Sequence, residues 1–444
     1  MKAYPHYKES GIECFGEMPS HWDIKRLKHI ASCNDDVVSE KTNADFEFEY
    51  VDIGSVSKLN GIEKAEKMVF EDAPSRARRK AQSGDVIVST VRTYLQAITA
   101  ITEEQSEYVY STGFAVIRPK LVGKKFMQFA LKDDAFLYQV MRESTGVSYP
   151  AINSNNLMNL CILLPPHYEQ ETIAKFLQKE TAKIDNLIAE KQRFITLLEE
   201  KRQALISHVV TKGLDDKVEM KDSGVEWIGA VPKHWEGIQL KHCMKGGFQN
   251  GVFKKSDEFG DGTLLINVSD VFTEDNEIHV NRLDRVTATK AELKKYLVEY
   301  GDIFFIRSSL KLEGIGMTAC FLDNSTTEPV IFECHVVKGR PNTQKVLPEY
   351  LIKVLHSHQL RYQQIRKSTT TTMTTISQAG LGSALLFLPP IEEQRKIIKY
   401  IDDNIKKIDA LNSETRRSIS LLKEHRSALI SAAVTGKIDV REEV

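Results

Sequence analysis

Residues 164–216 begin LPPHYEQETIAKFLQKE and end KRQALISHVVTKGLDD; residues 388–440 begin LPPIEEQRKIIKYIDD and end EHRSALISAAVTGKIDV. The two stretches lie at a constant offset of 224, and 25 of their 53 paired positions are identical without a gap. That density marks an internal duplication. Each copy reads as one long helix. The Pro-Pro pair ends an apolar run and suits a first helical turn, where a missing N–H costs nothing. No further Pro or Gly occurs before Gly213 in one copy and Gly436 in the other, both suited to cap a helix.

Apolar residues recur at three- and four-residue steps through both copies. In the first they include Ile173, Phe176, Leu177, Ile184, Leu187, Ile188, Phe194, Leu198, Leu205 and Val209. The second carries Ile397, Ile401, Ile408, Leu411, Leu422, Leu429 and Val434. A helix of about 45 residues spans about 65 Å, several times the globular average, and such a stripe calls for a partner helix. The obvious partner is the other copy, which predicts an antiparallel pair with Ile184, Leu187, Leu198, Leu205, Ile408, Leu411, Leu422 and Leu429 at helix or partner interfaces.

A second repeat precedes the first. Residues 8–22 read KESGIECFGEMPSHW and residues 221–235 read KDSGVEWIGAVPKHW, identical at eight of fifteen positions. The P-x-H-W ending reads as a turn followed by a buried Trp that anchors a domain's first strand. Between anchor and helix lie stretches whose middles share no sequence. Their strand-like runs are FEFEYVDIG (46–54), GDVIVSTVR (84–92) and FAVIRPK (114–120), then TLLINVSDV (263–271), GDIFFIRSS (301–309) and HVVKGRP (335–341). Helical runs are expected at 126–143 and 349–367, each followed by a hydroxyl-rich segment, STGVSYPAINS (144–154) and STTTTMTTIS (368–377). The fold class is therefore α+β: two pseudo-repeated α/β domains with twisted sheets, separated by two long antiparallel coiled-coil helices.

Composition narrows the classes. No apolar run approaches the roughly 18 residues that cross a bilayer, and the N-terminus MKAYPHYKES has no apolar leader, so a cytoplasmic protein is expected. Six scattered cysteines suit a reducing compartment and offer no metal-ligand spacing. Net charge is −1, with 20 Lys+Arg against 22 Asp+Glu in residues 1–165 and 20 against 19 in 221–388. A nucleic-acid binder usually shows a basic excess somewhere, and none is present.

No catalytic constellation survives inspection. There is no G-x-x-x-x-G-K-[ST] phosphate loop, and GGFQNG (246–251) lacks dinucleotide spacing. LPPH (164–167) and LPPI (388–391) have the wrong neighbours for an amino-methyltransferase, and HSH (356–358) lacks a third ligand. What remains are candidate contacts. PSRARRK (74–80) clusters Arg76, Arg78, Arg79 and Lys80, a composition that suits phosphates or a solvated turn equally. Arg92 and Arg307 follow the Gly-Asp strands, where an Arg reaches a guanine edge, with Lys311 close behind the second. Ser144, Thr145, Ser368 and the run Thr369, Thr370, Thr371, Thr372 offer hydroxyls to phosphate oxygens. None is specific alone.

The two anchors, the LPPxxEQ helix openings, the L-I-S-x-x-V-T helix ends and the variable-conserved-variable-conserved order together resemble the specificity subunit of type I restriction–modification systems, over essentially the whole chain. The resemblance implies target-recognition domain 1 at 1–165, a central spacer helix at 166–216, target-recognition domain 2 at 217–388 and a C-terminal spacer helix at 389–444. It implies a non-catalytic DNA reader, each domain recognising half of a bipartite double-stranded site. The helices would set the gap and dock two methyltransferase subunits, with motor-nuclease subunits joining. No cofactor is expected in this chain; S-adenosylmethionine belongs to the methyltransferase. Partners that supply basic surface would account for the neutral charge. Two other readings stand beside this one: the recognition subunit of a related system with fused methyltransferase and nuclease, and a coiled-coil adaptor that never touches DNA.

Overall fold

Each Pro-Pro pair is followed at once by a helix: His167–Lys212, 46 residues, and Ile391–Val434, 44 residues. The computed structural model describes residues 2–273, 275–323, 325–370 and 373–443. The chain divides into two compact units, the first made of Met1–Gln192 with Arg416–Val444 and the second of Arg193–Thr415. Each long helix thus contributes to both.

In the first unit the anchor meets the first helix. Trp22 is fully buried, and its indole Nε1 donates to Glu169 Oε2 at 2.9 Å. Tyr4 Oη donates to the same oxygen at 3.0 Å; Tyr168 Oη donates to Oε1 at 2.9 Å, and His21 Nε2 lies 2.6 Å from it. Burial opposes the ionised Glu169, but these hydrogen bonds outweigh it and hold the carboxyl below its ordinary range. The next residue, Gln170, accepts from Gly123 N at 2.8 Å and donates to Pro165 O at 2.8 Å. The strand after the Trp, Asp23–Arg26, pairs antiparallel with Cys161–Leu164, which leads into the helix.

The second unit repeats these joints. Trp235 Nε1 donates to Glu393 Oε1 at 3.1 Å, and His234 Nε2 lies 2.8 Å from Oε2. Gln394 accepts from Leu347 N at 2.9 Å and donates to Pro389 O at 2.9 Å. Glu236–Gln239 pairs with Leu385–Leu388. The Glu-Gln dipeptide of the helix opening is therefore the socket for the P-x-H-W anchor and for a loop of the same domain.

The divergent middles share one topology. In the first unit a four-stranded antiparallel sheet runs Ile98–Ala100, Val86–Ser89, Phe114–Pro119, Ala31–Cys33. The second has the same order, Thr318–Cys320, Ile303–Ile306, Val336–Pro341, Met244–Asn250. A second sheet in each contains one parallel pair, Val109–Ser111 with Glu47–Val51 and Val330–Phe332 with Phe259–Ile266. Each Gly-Asp turn also does the same work. Buried Asp85 takes Arg118 Nε at 3.1 Å and Nη2 at 2.9 Å, and buried Asp302 takes Arg340 Nε at 2.7 Å and Nη2 at 2.9 Å. These forked, charge-assisted pairs bind the central strand to its neighbour.

Three expected elements are interrupted. The run 126–143 is two helices, Lys124–Lys132 and Asp134–Arg142, because extended Asp133 caps the second by accepting from Ala135 N. Ser357 does the same between Pro348–Leu355 and His358–Arg366. The run 263–271 is a strand only to Ile266; Asn267 and Asp270 then form a capping box around the short helix Val268–Val271.

Within each unit the long helices pack antiparallel. The core of the first joins Ile173, Phe176, Leu177, Ile184 and Ile188 to Leu422, Leu429, Ile430, Ala433 and Val434. The core of the second joins Leu205, Ile206, Val209 and Val210 to Ile397, Ile398, Ile401 and Ile405. Ile195, Leu198, Ile408 and Ile419 are also buried. The buried positions 181, 184, 195, 198 and 209, with 408, 415, 419, 429 and 433, follow the alternating three-four spacing of a coiled coil. Leu187 and Leu411, 41% and 44% exposed, fall one residue short of that stripe, where the roughly 100° turn per residue carries them off the seam. Arg426 forks onto Asp185 at 2.8 and 3.2 Å in the first unit, and Arg202 meets Asp409 at 3.0 Å in the second. Arg202/Arg426 and Asp185/Asp409 are both equivalent at offset 224. The same pair thus forms with the donor and acceptor helices exchanged, the signature of a self-complementary contact.

Candidate nucleic-acid interface

In the first domain the strand Val86–Ser89 runs into a loop stitched to the hydroxyl-rich segment. Ile152 N donates to Thr90 O at 2.8 Å, Thr93 N to Pro150 O at 3.4 Å, and Thr145 and Ala151 exchange both backbone bonds at 2.9 Å. Arg92 and Gln96 both adopt left-handed backbone, φ 51° and 50°. Two non-glycine residues in that region within five positions store backbone strain, on the order of 1–3 kcal/mol each, which the surroundings must hold in place. The Arg92 guanidinium lies 5.0 Å from the Tyr149 ring centroid, presenting a cation with its aromatic support. Tyr94, Val147 and Tyr149 are exposed around it. Thr145 is exposed, whereas Ser144 is occupied, donating to Val140 O at 2.7 Å and lying 2.9 Å from Thr93 Oγ1.

The second domain builds the same junction from other residues. Ile376 N donates to Arg307 O at 2.9 Å, as Ile152 does to Thr90, so Arg307 takes the place of Thr90 and not that of Arg92. Ser308 and Ser309 pair with Thr375 and Thr374, which pair in turn with Thr369 and Thr370. The result is a small hydroxyl-lined sheet. Leu310 and Lys311 stand exposed beyond it, and Ser368 donates to Ile365 O at 2.6 Å. A cavity of about 690 Å³ opens alongside, lined by Val268, Phe272, Ser308, Met317, His335 and Met373 among others. Thr371 and Thr372 lie outside the described residues.

The basic cluster is dispersed by its strand. Arg79 and Lys80 are successive residues of Ala77–Lys80 and point to opposite faces. Arg79 Nε is buried with no hydrogen-bond partner, Arg78 lies over the Phe70 ring at 4.8 Å, and Arg76 and Lys80 are exposed. Tyr94, Gln96, Tyr149 and His335 have no signal in the sequence, since nothing local marks an exposed aromatic or a left-handed glutamine. His356 accounts for HSH differently: its Nε2 lies 2.9 Å from Thr318 Oγ1 and 2.8 Å from Thr318 O, and burial depresses its pKa to about 4. Among the described residues, Glu333, Cys334 and His335 form a group with metal-ligating atoms within 4.8 Å of one another. No helix among the described residues is long and apolar enough to cross a membrane.

Residues 19–195 match the family described as type I restriction modification DNA specificity domain. The EcoKI specificity subunit of Escherichia coli (strain K12) is 21% identical over 435 residues, 95% of this chain and 90% of that protein. The MjaVIII specificity subunit of Methanocaldococcus jannaschii is 24% identical over 459 residues, 98% of this chain and 97% of that one. Over nearly all of its length the chain is thus similar to type I specificity subunits. Solved structures share the fold of this chain. A chain from a study of complex assembly and conformational transition of the type I R-M system matches with a TM-score of 0.71 at 22% identity, over 95% of this chain and 99% of that one. The HsdS subunit from Thermoanaerobacter tengcongensis matches with a TM-score of 0.51 at 22% identity, covering 95% and 98%. Specificity subunits are non-catalytic components of restriction–modification complexes.

Proposed function

We propose that this chain is the DNA-reading subunit of a type I restriction–modification complex, with each domain recognising one half of a bipartite duplex site. The observation that carries this reading is the double use of one frame around unlike faces. The anchor socket, sheet order, Gly-Asp clamp and strand-loop junction recur, while the residues projecting from the junction change from Arg92 and Tyr149 to a serine-threonine sheet. Arg92 suits a guanine edge or a phosphate, and the hydroxyls of Thr145, Ser309, Thr369 and Thr370 suit phosphate oxygens. The paired helices set the gap between half-sites and dock two methyltransferase subunits, which bring S-adenosylmethionine; motor-nuclease subunits complete the assembly in the cytoplasm.

The test is a methylation map from the chain co-expressed with its methyltransferase. A split motif is expected. Inserting four residues near Asn186 lengthens the helix by about 6 Å, close to two base-pair rises of roughly 3.4 Å, and is expected to widen the unread gap while both half-sites hold. A single uninterrupted motif, or altered half-sites at a constant gap, overturns the reading.

A further inference from the structure

The turn between strands Val330–Phe332 and Val336–Pro341 is made of three consecutive residues with metal-ligating side chains, Glu333, Cys334 and His335. We propose that this turn is a Zn²⁺ site of the second domain, with the Glu333 carboxylate, the Cys334 thiolate and the His335 imidazole as ligands. A set of one sulfur, one nitrogen and one carboxylate oxygen suits zinc, whereas Mg²⁺ and Ca²⁺ take oxygen ligands. Three protein ligands leave a fourth tetrahedral position for water or a ligand atom.

Four observations support the assignment. One ligand atom of each residue lies within 4.8 Å of the other two, so small side-chain rotations bring them onto one ion. Glu333 Oε2 accepts from His335 N at 2.9 Å and the carboxylate also takes the Cys334 thiol, so the three ligand residues already face one another. His335 Nδ1 lies 2.7 Å from Ser308 Oγ, the kind of outer contact that orients a metal-bound imidazole. The platform is also rigid. Val336 N donates to Glu333 O at 3.1 Å and Glu333 N to Ile266 O at 3.1 Å; a Cβ on Gly251 would lie 2.2 Å from Glu333 O, so only glycine lets that backbone approach.

The corresponding turn of the first domain, between strands Val109–Ser111 and Phe114–Pro119, is Thr112-Gly113 and carries no such set. The site therefore belongs to one domain only. Because His335 O accepts from Arg307 N at 3.0 Å and His335 holds Ser308, the ion would stiffen the loop 307–311. The zinc assignment stands on ligand chemistry and does not depend on the DNA-reading proposal.

The experiment is a Co²⁺ titration of the chelator-treated full-length chain, with Zn²⁺ competition. Expected are one equivalent bound, a thiolate-to-cobalt charge-transfer band, and displacement by zinc. Cys334→Ser should abolish the band, and exposed His335→Gln and Glu333→Gln should each weaken Co²⁺ binding by about tenfold or more. Ser308→Ala, which removes the contact to His335 Nδ1 but leaves all three ligands in place, should weaken it by roughly 10–100-fold with the band retained. Far-ultraviolet circular dichroism checks that each variant is folded. A chain that binds no cobalt, or a band that survives in Cys334→Ser because another cysteine supplies it, overturns the proposal. So does an affinity unchanged in both His335→Gln and Glu333→Gln.

Discussion

The two domains agree where they meet the long helices and differ where they do not. Glu169 gathers Tyr4, His21, Trp22 and Tyr168, whereas Glu393 holds only His234 and Trp235 among the hydrogen bonds seen. At the break between their short helices the domains place Lys132 and His356 at equivalent positions, both depressed by burial, to about 8 and about 4. Asp133 and Ser357 then cap the following helix in the same way. Away from the helices, a strained loop with a supported arginine stands against a hydroxyl sheet with a histidine. Contact with a shared partner element constrains chemistry; a free surface leaves it open to change.

The largest effect that tests this contrast is loss of an anchor. Trp22→Ala and Trp235→Ala should each cost about 3–5 kcal/mol in chemical denaturation, Trp22→Ala more, since Trp22 also packs edge-on against Tyr4 at 5.7 Å. Equal costs would show that the extra partners of the first anchor add nothing.

Acid separates the domains next. His356 stays neutral in the folded chain down to about pH 4, while the unfolded chain takes up that proton near 6.5. Its contribution is therefore complete above about pH 6.5 and is lost as pH falls toward 4, on the order of 3 kcal/mol at most. Unfolding of wild type and His356→Gln across that window should show the variant's stability falling less. A parallel pH dependence would assign the acid sensitivity to other groups. Lys132 is already charged below about pH 8, so the equivalent position of the first domain adds nothing in this window.

A smaller difference lies in the sockets. Glu169→Gln should cost about 2–3 kcal/mol and Glu393→Gln about 1, read as shifts in the denaturation midpoint, because buried carboxylate hydrogen bonds are lost in proportion to their number. The smallest separates the two exchanged ion pairs. A double-mutant cycle on Arg426–Asp185, forked and with Arg426 mostly covered, should give about 1 kcal/mol, and the more open Arg202–Asp409 only a few tenths.

The helices, their glycine ends, the buried anchor tryptophans and the paired domains were all legible, because repetition and 3.6-residue periodicity are strong local signals. The anchor and the Glu-Gln dipeptide were each visible too, but not their union: nothing in a chain links Trp22 to a carboxylate 147 residues away. The Gly-Asp runs are legible as strands but not as clamps, since Arg118 and Arg340 look like any strand arginine until the sheet closes. Asp133 and Ser357 were passed over as helix breaks because the apolar spacing continues through them. The candidate interface was least legible. Its character rests on left-handed backbone at Arg92 and Gln96 and on an arginine-tyrosine contact, neither of which has a local signature.

The division of the chain also carries an order of events during synthesis. The second unit is one uninterrupted segment, residues 193–415, while the first needs residues 416–444 for completion. Val434 and Val440 belong to its core, Tyr7 Oη donates to Gly436 O, and Asp439 N donates to Lys2 O. As the polypeptide leaves the ribosome, the later-made body can close before the earlier one, whose amino-terminal portion must wait for residues 416–444 to emerge.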